Sequence, residues 1–532
     1  MRDSLVFLTT TLAIFSLPVA ANSLEDSLSE RGIDVIRLHQ PPYNLTGHKI
    51  SIGQVEIGRP KKFGLDKLPP THRPIPLARL FYLDAPAIAN SNIDNHAMMV
   101  AGVMVGRHKR FTGVAPNARL YVGAIGTLKY AQQQQECLAI QNIALQDGGD
   151  VRAINISFGE SLARDERKNP QLDGNALFTQ CLDWSARQHS VLYVVAGNQG
   201  LGGIPIPTDN YNGITTAYSR KQDGVFRKVD FANLSISPAS IAKALIPGEI
   251  NVGSRRAVSI LAPGHRLRVY NLEGRLETVS GSSFAAPHIT GSVALLQEAG
   301  DRLWRRGVLP SLDYRQPEVM KAILLNSADK LADKGDGNLL GMTRTVLTQR
   351  NKTWLESDAY LDPKIPLDME MGTGHLNTMR AYKQLIAGKY SHRVKIPPIG
   401  WNYDSIEENN FHDYYFSDTL KGGSFISITI AWNRLVELED INGSGKYEQG
   451  ERFIDRGLND LDLELLKIDN KTEKATICSS VSKVDSVEHI FCQLPVTGRY
   501  KIRVRYTKRV NQPSQAYAIA WQAVGIGISP QP

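Results

Sequence analysis

The stretch SGSSFAAPHITGSVALL, residues 280–296, joins a small, serine-rich turn to apolar residues at helical spacing. The apolar residues that share one face of this predicted helix are Ala286, Ile289, Val293 and Leu296. Pro287 is tolerated in a helix only near its start, so Ser283 would lie where backbone N–H groups and the positive end of the helix dipole are free. That position suits a nucleophile whose attack generates an oxyanion. The structural alternative is a serine that caps the helix.

Two further segments carry polar residues whose chemistry complements that of a serine nucleophile. In NHAMMVAGVMVG, residues 95–106, His96 precedes an apolar helical run and is a candidate general base for a serine, although a single histidine is often structural. In VLYVVAGNQG, residues 191–200, an apolar strand runs into Asn198, whose side-chain N–H₂ can donate to developing negative charge. An asparagine between glycines is also common in ordinary turns.

The order of apolar runs predicts the fold class of the first part of the chain. Between about residues 50 and 390, short runs rich in Val, Ile and Tyr alternate with longer helix-like segments. The runs include ISIGQVEIG, RLYVGAIGT, AINISFG, SVLYVVAGN and AVSILAPG. This alternation predicts an α/β fold, a mainly parallel sheet with helices on both faces. Ligands of such sheets bind beyond the carboxyl ends of the strands, where these runs end in glycine or polar residues.

After Pro397 the pattern changes to period-two alternation with turn residues between the runs, which predicts an all-β sandwich domain. The N-terminal segment has a charged start, an apolar stretch and small residues ending near Ala21, as in a secretory signal peptide, and an uncleaved anchor is the alternative. The predicted organisation is a signal peptide over 1–21, a short extension over 22–45, a catalytic domain over 46–390, a linker over 391–401 and the sandwich over 402–532.

These segments occur together and in order, and together they resemble the subtilisin-like serine protease (subtilase) family. HAMMVAG resembles the family's histidine motif, AINISFG its substrate-edge strand, VVAGNQG its oxyanion asparagine and SGSSFAAPH its nucleophile motif. The resemblance implies that Ser283 is the nucleophile, His96 the general base and acid, and Asn198 an oxyanion donor. It also implies that a substrate backbone pairs as an added strand with Ser157, Phe158 and Gly159.

The acidic member of the triad is where this sequence departs from the family. The family has aspartate at the end of the first strand, and the matching segment ISIGQVEIG places Glu56 there. A glutamate can accept the imidazole N–H and stabilise the imidazolium, although its side chain is one methylene longer. We expect Glu56 to fill this role, and Asp84 and Asp94 are the other candidates.

The resemblance implies a secreted serine endopeptidase that cleaves protein or peptide substrates through an acyl-enzyme intermediate, with no organic cofactor. An esterase or amidase with the same triad and an inactive, protease-like binding protein are the alternatives. The net charge of +8 over 532 residues is mild and dispersed, which does not favour nucleic acid as a partner. We expect a monomer, secreted or periplasmic, without a stable membrane span after cleavage of the signal peptide.

Within the sandwich region, DINGSGKYEQGE, residues 440–451, has the spacing of a twelve-residue calcium loop. The predicted ligands are Asp440, Asn442, Ser444, the backbone carbonyl of Lys446, and Glu451, with Glu448 acting directly or through water. Gly445 occupies the turn. The alternative is an ordinary polar turn between strands. The sequence therefore predicts a structural Ca²⁺ site outside the catalytic domain.

Four cysteines follow the predicted signal peptide, and an even count there permits disulfides. We expect a disulfide between Cys478 and Cys492, because both lie in one strand-rich stretch where a hairpin would bring them together. Cys137 and Cys181 lie in helix-like segments, and for these two residues a disulfide and two buried free thiols remain open.

Overall fold

The computed structural model describes residues 24–68, 75–108, 111–126, 132–197, 205–222, 224–229, 254–469 and 472–526. The predicted signal peptide and Asn198 lie outside the described residues. Within these ranges, no helix has both the length and the apolar character needed to cross a bilayer.

A ten-stranded sheet forms the centre of the first part of the chain. The strands before residue 350 are β1 (Ser51–Glu56), β2 (Leu77–Tyr82), β3 (Ala85–Pro86), β4 (Arg107–His108), β5 (Phe111–Thr112), β6 (Arg119–Ala124), β7 (Val151–Ile156), β8 (Leu192–Ala196), β9 (Ile214–Gln222), β10 (Val225–Lys228), β11 (Ile260–Pro263), β12 (Leu267–Tyr270), β13 (Leu276–Val279) and β14 (Val346–Leu347). The sheet order is β14-β10-β9-β8-β7-β1-β6-β2-β3, with β11 also paired to β9. Parallel pairing from β2 to β9 confirms the predicted mainly parallel sheet.

Helices cover both faces of this sheet. They are α1 (Leu24–Leu28), α2 (Ile36–His39), α3 (Asn95–Val105), α4 (Gln133–Ala144), α5 (Gln146–Gly149), α6 (Leu177–Gln188), α7 (Ser282–Arg305), α8 (Pro317–Asn326), α9 (Asp358–Leu361) and α10 (Thr378–Ile386), with 3₁₀ turns at Leu162–Arg164, Asp313–Arg315 and Trp354–Glu356. Neighbouring residues of one strand point to opposite faces. Accordingly, Val194 of β8 packs in the core that contains α3 and α7. Val195 packs in the core that contains α4 and α6.

The predicted extension before β1 is part of the same core. Leu24, Leu28 and Ile33 are buried with side chains of α3 and α7. The hydroxyl of Ser27 lies 2.8 Å from Nε2 of His288, a fully buried residue of α7. The segment therefore contributes to the interior of the first part of the chain.

The remaining strands form antiparallel sheets. They are β15 (Ile399–Glu407), β16 (Phe411–Tyr415), β17 (Thr419–Leu420), β18 (Phe425–Trp432), β19 (Leu435–Glu439), β20 (Arg452–Gly457), β21 (Asp460–Asp469), β22 (Thr472–Ser480), β23 (Val487–Gln493), β24 (Arg499–Lys508), β25 (Ser514–Gln522) and β26 (Gly525–Ile526). The sheets β15-β25-β18-β23 and β16-β24-β21-β22 share one buried apolar core, as predicted for a sandwich. The predicted Cys478–Cys492 disulfide is confirmed. It joins β22 of one sheet to β23 of the other, so it links two sheets and does not close a hairpin.

The hairpin β19–β20 leaves the sandwich and packs against α6 of the first part of the chain. Arg434, which is buried, lies 3.1 Å from the carboxylate of Asp183 in α6. Phe453 of β20 packs on Trp184, with ring centroids 5.6 Å apart. Beneath this contact, α4 and α6 are joined by the Cys137–Cys181 disulfide, which settles the choice that the sequence left open for these two cysteines.

Candidate active site

The structure brings Glu56 and His96 together at one edge of the sheet. Glu56 is the last residue of β1, its side chain is 1% exposed, and its Oε2 lies 3.3 Å from Nδ1 of His96. His96 is the second residue of α3, and its side chain is 37% exposed. A buried carboxylate therefore contacts one ring nitrogen of a histidine whose side chain is partly exposed.

The other acidic candidates occupy different positions. Asp94 caps α3 by accepting a hydrogen bond of 2.8 Å from the N–H of Ala97. Asp84 is exposed in the turn between β2 and β3. Neither position matches that of Glu56, whose carboxylate contacts the ring directly.

The carboxylates near His96 favour the protonated form of its ring. Burial lowers the pKa of His96, but the carboxylate of Glu56 and the charge of Asp94 raise it more. The net pKa of His96 is raised above its usual value of 6.5. The imidazolium that forms when a histidine accepts a proton is therefore stabilised at this position.

Ser283 is held at the start of α7, beside His96. Gly281, the residue before the helix, adopts φ 153° and ψ 161°, a backbone region that only glycine enters readily. The ring of Phe284 lies 5.5 Å from the ring of His96, which brings the first turn of α7 next to the histidine. Ser283 itself is half-buried.

Ser283 and Ser157 exchange hydrogen bonds. The Ser283 hydroxyl donates to the Ser157 carbonyl at 3.2 Å, and the Ser157 hydroxyl donates to the Ser283 carbonyl at 3.0 Å. The second bond is available because Pro287 has no N–H to occupy the Ser283 carbonyl, which is its i−4 partner. In this structure the Ser283 hydroxyl is therefore directed towards Ser157.

Two buried polar residues of the strands support this arrangement and were missed in the sequence. Asn155 in β7 donates to the Ser157 hydroxyl at 2.8 Å. Gln54 in β1 donates to the carbonyl of Ala97 at 3.0 Å and so ties β1 to the start of α3. The available signal was a polar residue inside an otherwise apolar strand, because a buried amide needs hydrogen-bond partners.

Asn198 lies outside the described residues, but its neighbour Gly197 is described. The hydroxyl of Ser282 donates to the Gly197 carbonyl at 2.6 Å, and the Gly197 N–H donates to Thr216 at 2.8 Å. The end of β8 is thus fixed next to the residue that precedes Ser283.

The predicted substrate edge continues directly from β7. Ser157 and Gly159 are buried, and Phe158 packs on Phe178 with ring centroids 5.7 Å apart. The following residue, Glu160, exchanges two backbone hydrogen bonds with Ile206. The segment that follows β7 is therefore held in place at Glu160 by its backbone pairing with Ile206.

The candidate calcium loop spans residues 440–451 and connects β19 to β20, so strands flank it. Asp440 accepts hydrogen bonds from the N–H groups of Ser444 and Gly445, and these bonds lower its pKa. Both carboxylate oxygens of Glu451 accept backbone N–H bonds, from Ile441 and Glu448.

The remaining predicted ligands lie in the same turn. Asn442 accepts from Ser444, whose hydroxyl donates to the carbonyl of Lys446 at 3.1 Å. Gly445 has φ 71°, as the sharp turn requires. The loop thus gathers the carboxylate, amide, hydroxyl and carbonyl oxygens that a hard cation such as Ca²⁺ prefers.

Comparison with known proteins agrees with this geometry. Residues 82–343 match the subtilase family, a range that contains His96 and Ser283 but begins after Glu56. Pyrolysin from Pyrococcus furiosus is 23% identical over 332 residues, which are 58% of this chain and 20% of pyrolysin. Subtilisin from Bacillus sp. strain TA39 is 25% identical over 169 residues, which are 31% of this chain and 36% of that protein. The chain thus spans about a fifth of the length of pyrolysin and about a third of the length of that subtilisin.

Solved structures of proteases are also similar to this chain. The prenylagaramide maturation protease PagA is 21% identical, with a TM-score of 0.40, and the match covers 63% of this chain and 93% of PagA. A cold adapted subtilisin-like serine proteinase is 18% identical, with a TM-score of 0.36, and the match covers 57% of this chain and 89% of that structure.

Proposed function

Because the chain belongs to the subtilase family through residues 82–343, we propose that it is a secreted serine endopeptidase that hydrolyses peptide bonds in protein substrates. The observation that carries this proposal is the buried Glu56 carboxylate 3.3 Å from His96, beside α7, whose second residue is Ser283. A nucleophile, a base and a group that orients the base are the components that acyl transfer requires.

In the proposed mechanism, His96 accepts the proton of the Ser283 hydroxyl as the oxygen attacks the peptide carbonyl. Glu56 stabilises the imidazolium, and His96 then delivers the proton to the leaving amine. The Asn198 side chain and the Ser283 backbone N–H stabilise the oxyanion of the tetrahedral intermediate. Water then attacks the carbonyl of the acyl-enzyme while His96 accepts a proton from it. His96 returns the proton to the Ser283 oxygen as the acyl product leaves.

Substrate would bind as an extended strand along Ser157, Phe158 and Gly159. Pairing with this edge aligns the scissile carbonyl by main-chain hydrogen bonds, largely independently of the side chains of the substrate. In this scheme the bonds between Ser157 and Ser283 tie the substrate edge to the nucleophile.

The test is to label the purified protein with a fluorophosphonate and to compare hydrolysis of a peptide amide with that of a matched ester. Covalent labelling together with amide cleavage in the interior of a polypeptide supports an endopeptidase. Ester cleavage without amide cleavage would instead identify an esterase. Absence of both from the folded protein would favour an inactive relative that binds its partners without cleaving them.

We expect Asn198→Ala to lower kcat for peptide hydrolysis by about 10²- to 10³-fold with little change in KM, as loss of one oxyanion donor does. The measurement is steady-state kinetics on a peptide substrate. Asn175→Ala, which removes an amide whose oxygen accepts hydrogen bonds from Gln180 and Arg434, is the control and should keep most of the activity. Unchanged kcat in Asn198→Ala would remove Asn198 from the oxyanion site.

We also propose that the loop 440–451 binds one structural Ca²⁺ through Asp440, Asn442, Ser444, the Lys446 carbonyl and Glu451. Support comes from the oxygen-rich turn and from the docking of the loop on α4. The backbone groups of Tyr447, within the loop, exchange two hydrogen bonds with the Gln141 side chain. Binding of Ca²⁺ would therefore stabilise the contact between the hairpin β19–β20 and the first part of the chain.

Adding Ca²⁺ at about 100 times its dissociation constant should stabilise the folded protein by about 2.7 kcal/mol, because the ion binds only the folded loop. Thermal unfolding with Ca²⁺ or with a chelator measures the effect. Glu451→Gln should abolish the calcium-dependent shift, and Glu166→Gln, a change at an exposed carboxylate elsewhere, should retain it. An equal shift in both variants would show that Ca²⁺ acts elsewhere.

We propose secretion or export to a periplasm after removal of residues 1–21, with domains over 46–390 and 402–532 joined by the linker over 391–401. The two disulfides support an oxidising compartment. The proposed working form is a monomer.

A further inference from the structure

Two histidines and an aspartate meet at the junction between the first part of the chain and the sandwich. His392 lies within the segment after α10, Asp404 is on β15 and His412 is on β16. One ligand atom from each residue lies within 4.8 Å of the others, and all three side chains are half-buried. Among the residues that the structure describes, this is the one group of three or more His, Cys, Asp or Glu side chains so arranged.

The three side chains are held by contacts with one another. Nδ1 of His392 lies 3.1 Å from Oδ2 of Asp404. The rings of His392 and His412 are stacked, with centroids 3.8 Å apart and planes 12° apart.

A second layer of hydrogen bonds orients these groups. Nδ1 of His412 lies 2.9 Å from the hydroxyl of Tyr517, which is fully buried and bonded to the Tyr414 hydroxyl. Asp404 accepts a hydrogen bond of 2.9 Å from the N–H of Ser405 and one of 3.3 Å from Asn402. Metal-binding histidines and carboxylates are commonly fixed by such outer partners.

We propose that His392, Asp404 and His412 bind a divalent transition-metal ion of the Zn²⁺ class. Two imidazole nitrogens and one carboxylate oxygen are ligands that suit Zn²⁺ and leave a fourth position for water. A tetrahedral ion about 2.1 Å from each ligand needs ligand atoms about 3.4 Å apart, each with its lone pair in the ring plane. Because the two rings are stacked with planes 12° apart, one imidazole has to rotate out of the stack to complete the site. Hard cations such as Ca²⁺ prefer all-oxygen sets and belong to the loop 440–451.

The site would fix the linker to the sandwich. His392 follows the last helix of the first part of the chain, whereas Asp404 and His412 belong to strands in the two opposed sheets. An ion shared by these elements cross-links the linker and both sheets, as a structural metal does. This role does not depend on the proposed protease activity.

The test is isothermal titration of the full chain with Zn²⁺, in the Ser283→Ala background and with excess Ca²⁺ present. We expect one Zn²⁺ per chain. His412→Ala and His392→Ala should weaken binding more than about 100-fold, and Tyr517→Phe by about 10-fold, because outer partners matter less than ligands. His48→Ala, a change at an exposed histidine elsewhere, should leave binding unchanged. Unfolding of each variant without metal shows whether it is folded.

Absence of Zn²⁺ binding to the folded protein would overturn the proposal. Binding that survives in folded His412→Ala but is lost in His96→Ala would also overturn it, because the ion would then lie at the proposed active site. If His412→Ala does not fold, the Zn²⁺ affinities of Asp404→Asn and Tyr517→Phe test the proposal instead. Zn²⁺ affinities equal to that of the parent in both variants would contradict the site. The Co²⁺ form gives a second readout, since its visible absorption changes when an imidazole ligand is lost.

Discussion

Replacing Ser283 with alanine is expected to lower kcat for peptide hydrolysis by about 10⁶-fold and to abolish fluorophosphonate labelling. The reason is that no covalent acyl intermediate can form without the hydroxyl, while substrate still binds along residues 157–159. KM and the unfolding temperature should change little, because Ser283 is half-buried and its side chain makes one hydrogen bond, to Ser157. Active-site titration and steady-state kinetics on one peptide measure the effect.

Ser280→Ala is the matched control, since Ser280 is an exposed serine three residues earlier in the same turn. It should keep its labelling and most of its activity. Full hydrolytic activity in pure Ser283→Ala would show that another residue is the nucleophile or that a contaminating protease is present. Labelling of that variant would distinguish these cases, because a second nucleophile in this chain would itself be labelled.

Replacing Glu56 with glutamine is expected to lower kcat/KM by about 10⁴-fold, as loss of the acidic partner does in a serine protease triad. The amide cannot stabilise the imidazolium of His96 and favours the wrong tautomer. Glu56→Asp keeps the charge but shortens the reach by one methylene, so it should retain more activity than Glu56→Gln. Comparison of the two variants separates the charge from the geometry of the contact.

The pH profile gives an independent readout of the same contact. His96 must be neutral to act as a base, so kcat/KM falls as the pH decreases through its pKa. Glu56 raises the pKa of His96, and its loss should therefore move the acidic limb to lower pH. Asp84→Asn, a change at an exposed carboxylate, should leave both rate and profile intact. A large loss of activity in Asp84→Asn, together with normal activity in Glu56→Gln, would assign the acidic role in the triad to Asp84 instead of Glu56.

The order of elements in the first part of the chain could be predicted from local patterns. The first four residues of the run AINISFG lie in β7, and the helix predicted from residues 280–296 is the first part of α7. Continuous apolar runs predict buried parallel strands because both faces of such strands are covered. The resemblance to the family's first-strand motif, rather than a local pattern, pointed to Glu56, whose carboxylate the structure places 3.3 Å from His96.

Contacts between distant segments could not be predicted in this way. No local pattern shows that the hairpin β19–β20 leaves the sandwich for α6, or that α4 and α6 are close enough for the Cys137–Cys181 disulfide. The cluster of His392, Asp404 and His412 has no sequence signature, since its members come from three separate elements. β15 starts at Ile399, inside the stretch interpreted as linker, because two consecutive prolines dominated that interpretation.

The segment before β1 is built into the folded core, unlike a detachable inhibitory segment. A removable inhibitor has to dissociate from a folded enzyme and leave it intact. Leu24, Leu28 and Ile33 cannot do so, because their departure would expose the apolar surface of α3 and α7 and break the contact of Ser27 with His288. Proteolytic trimming past residue 28 should therefore destabilise the fold of the first part of the chain.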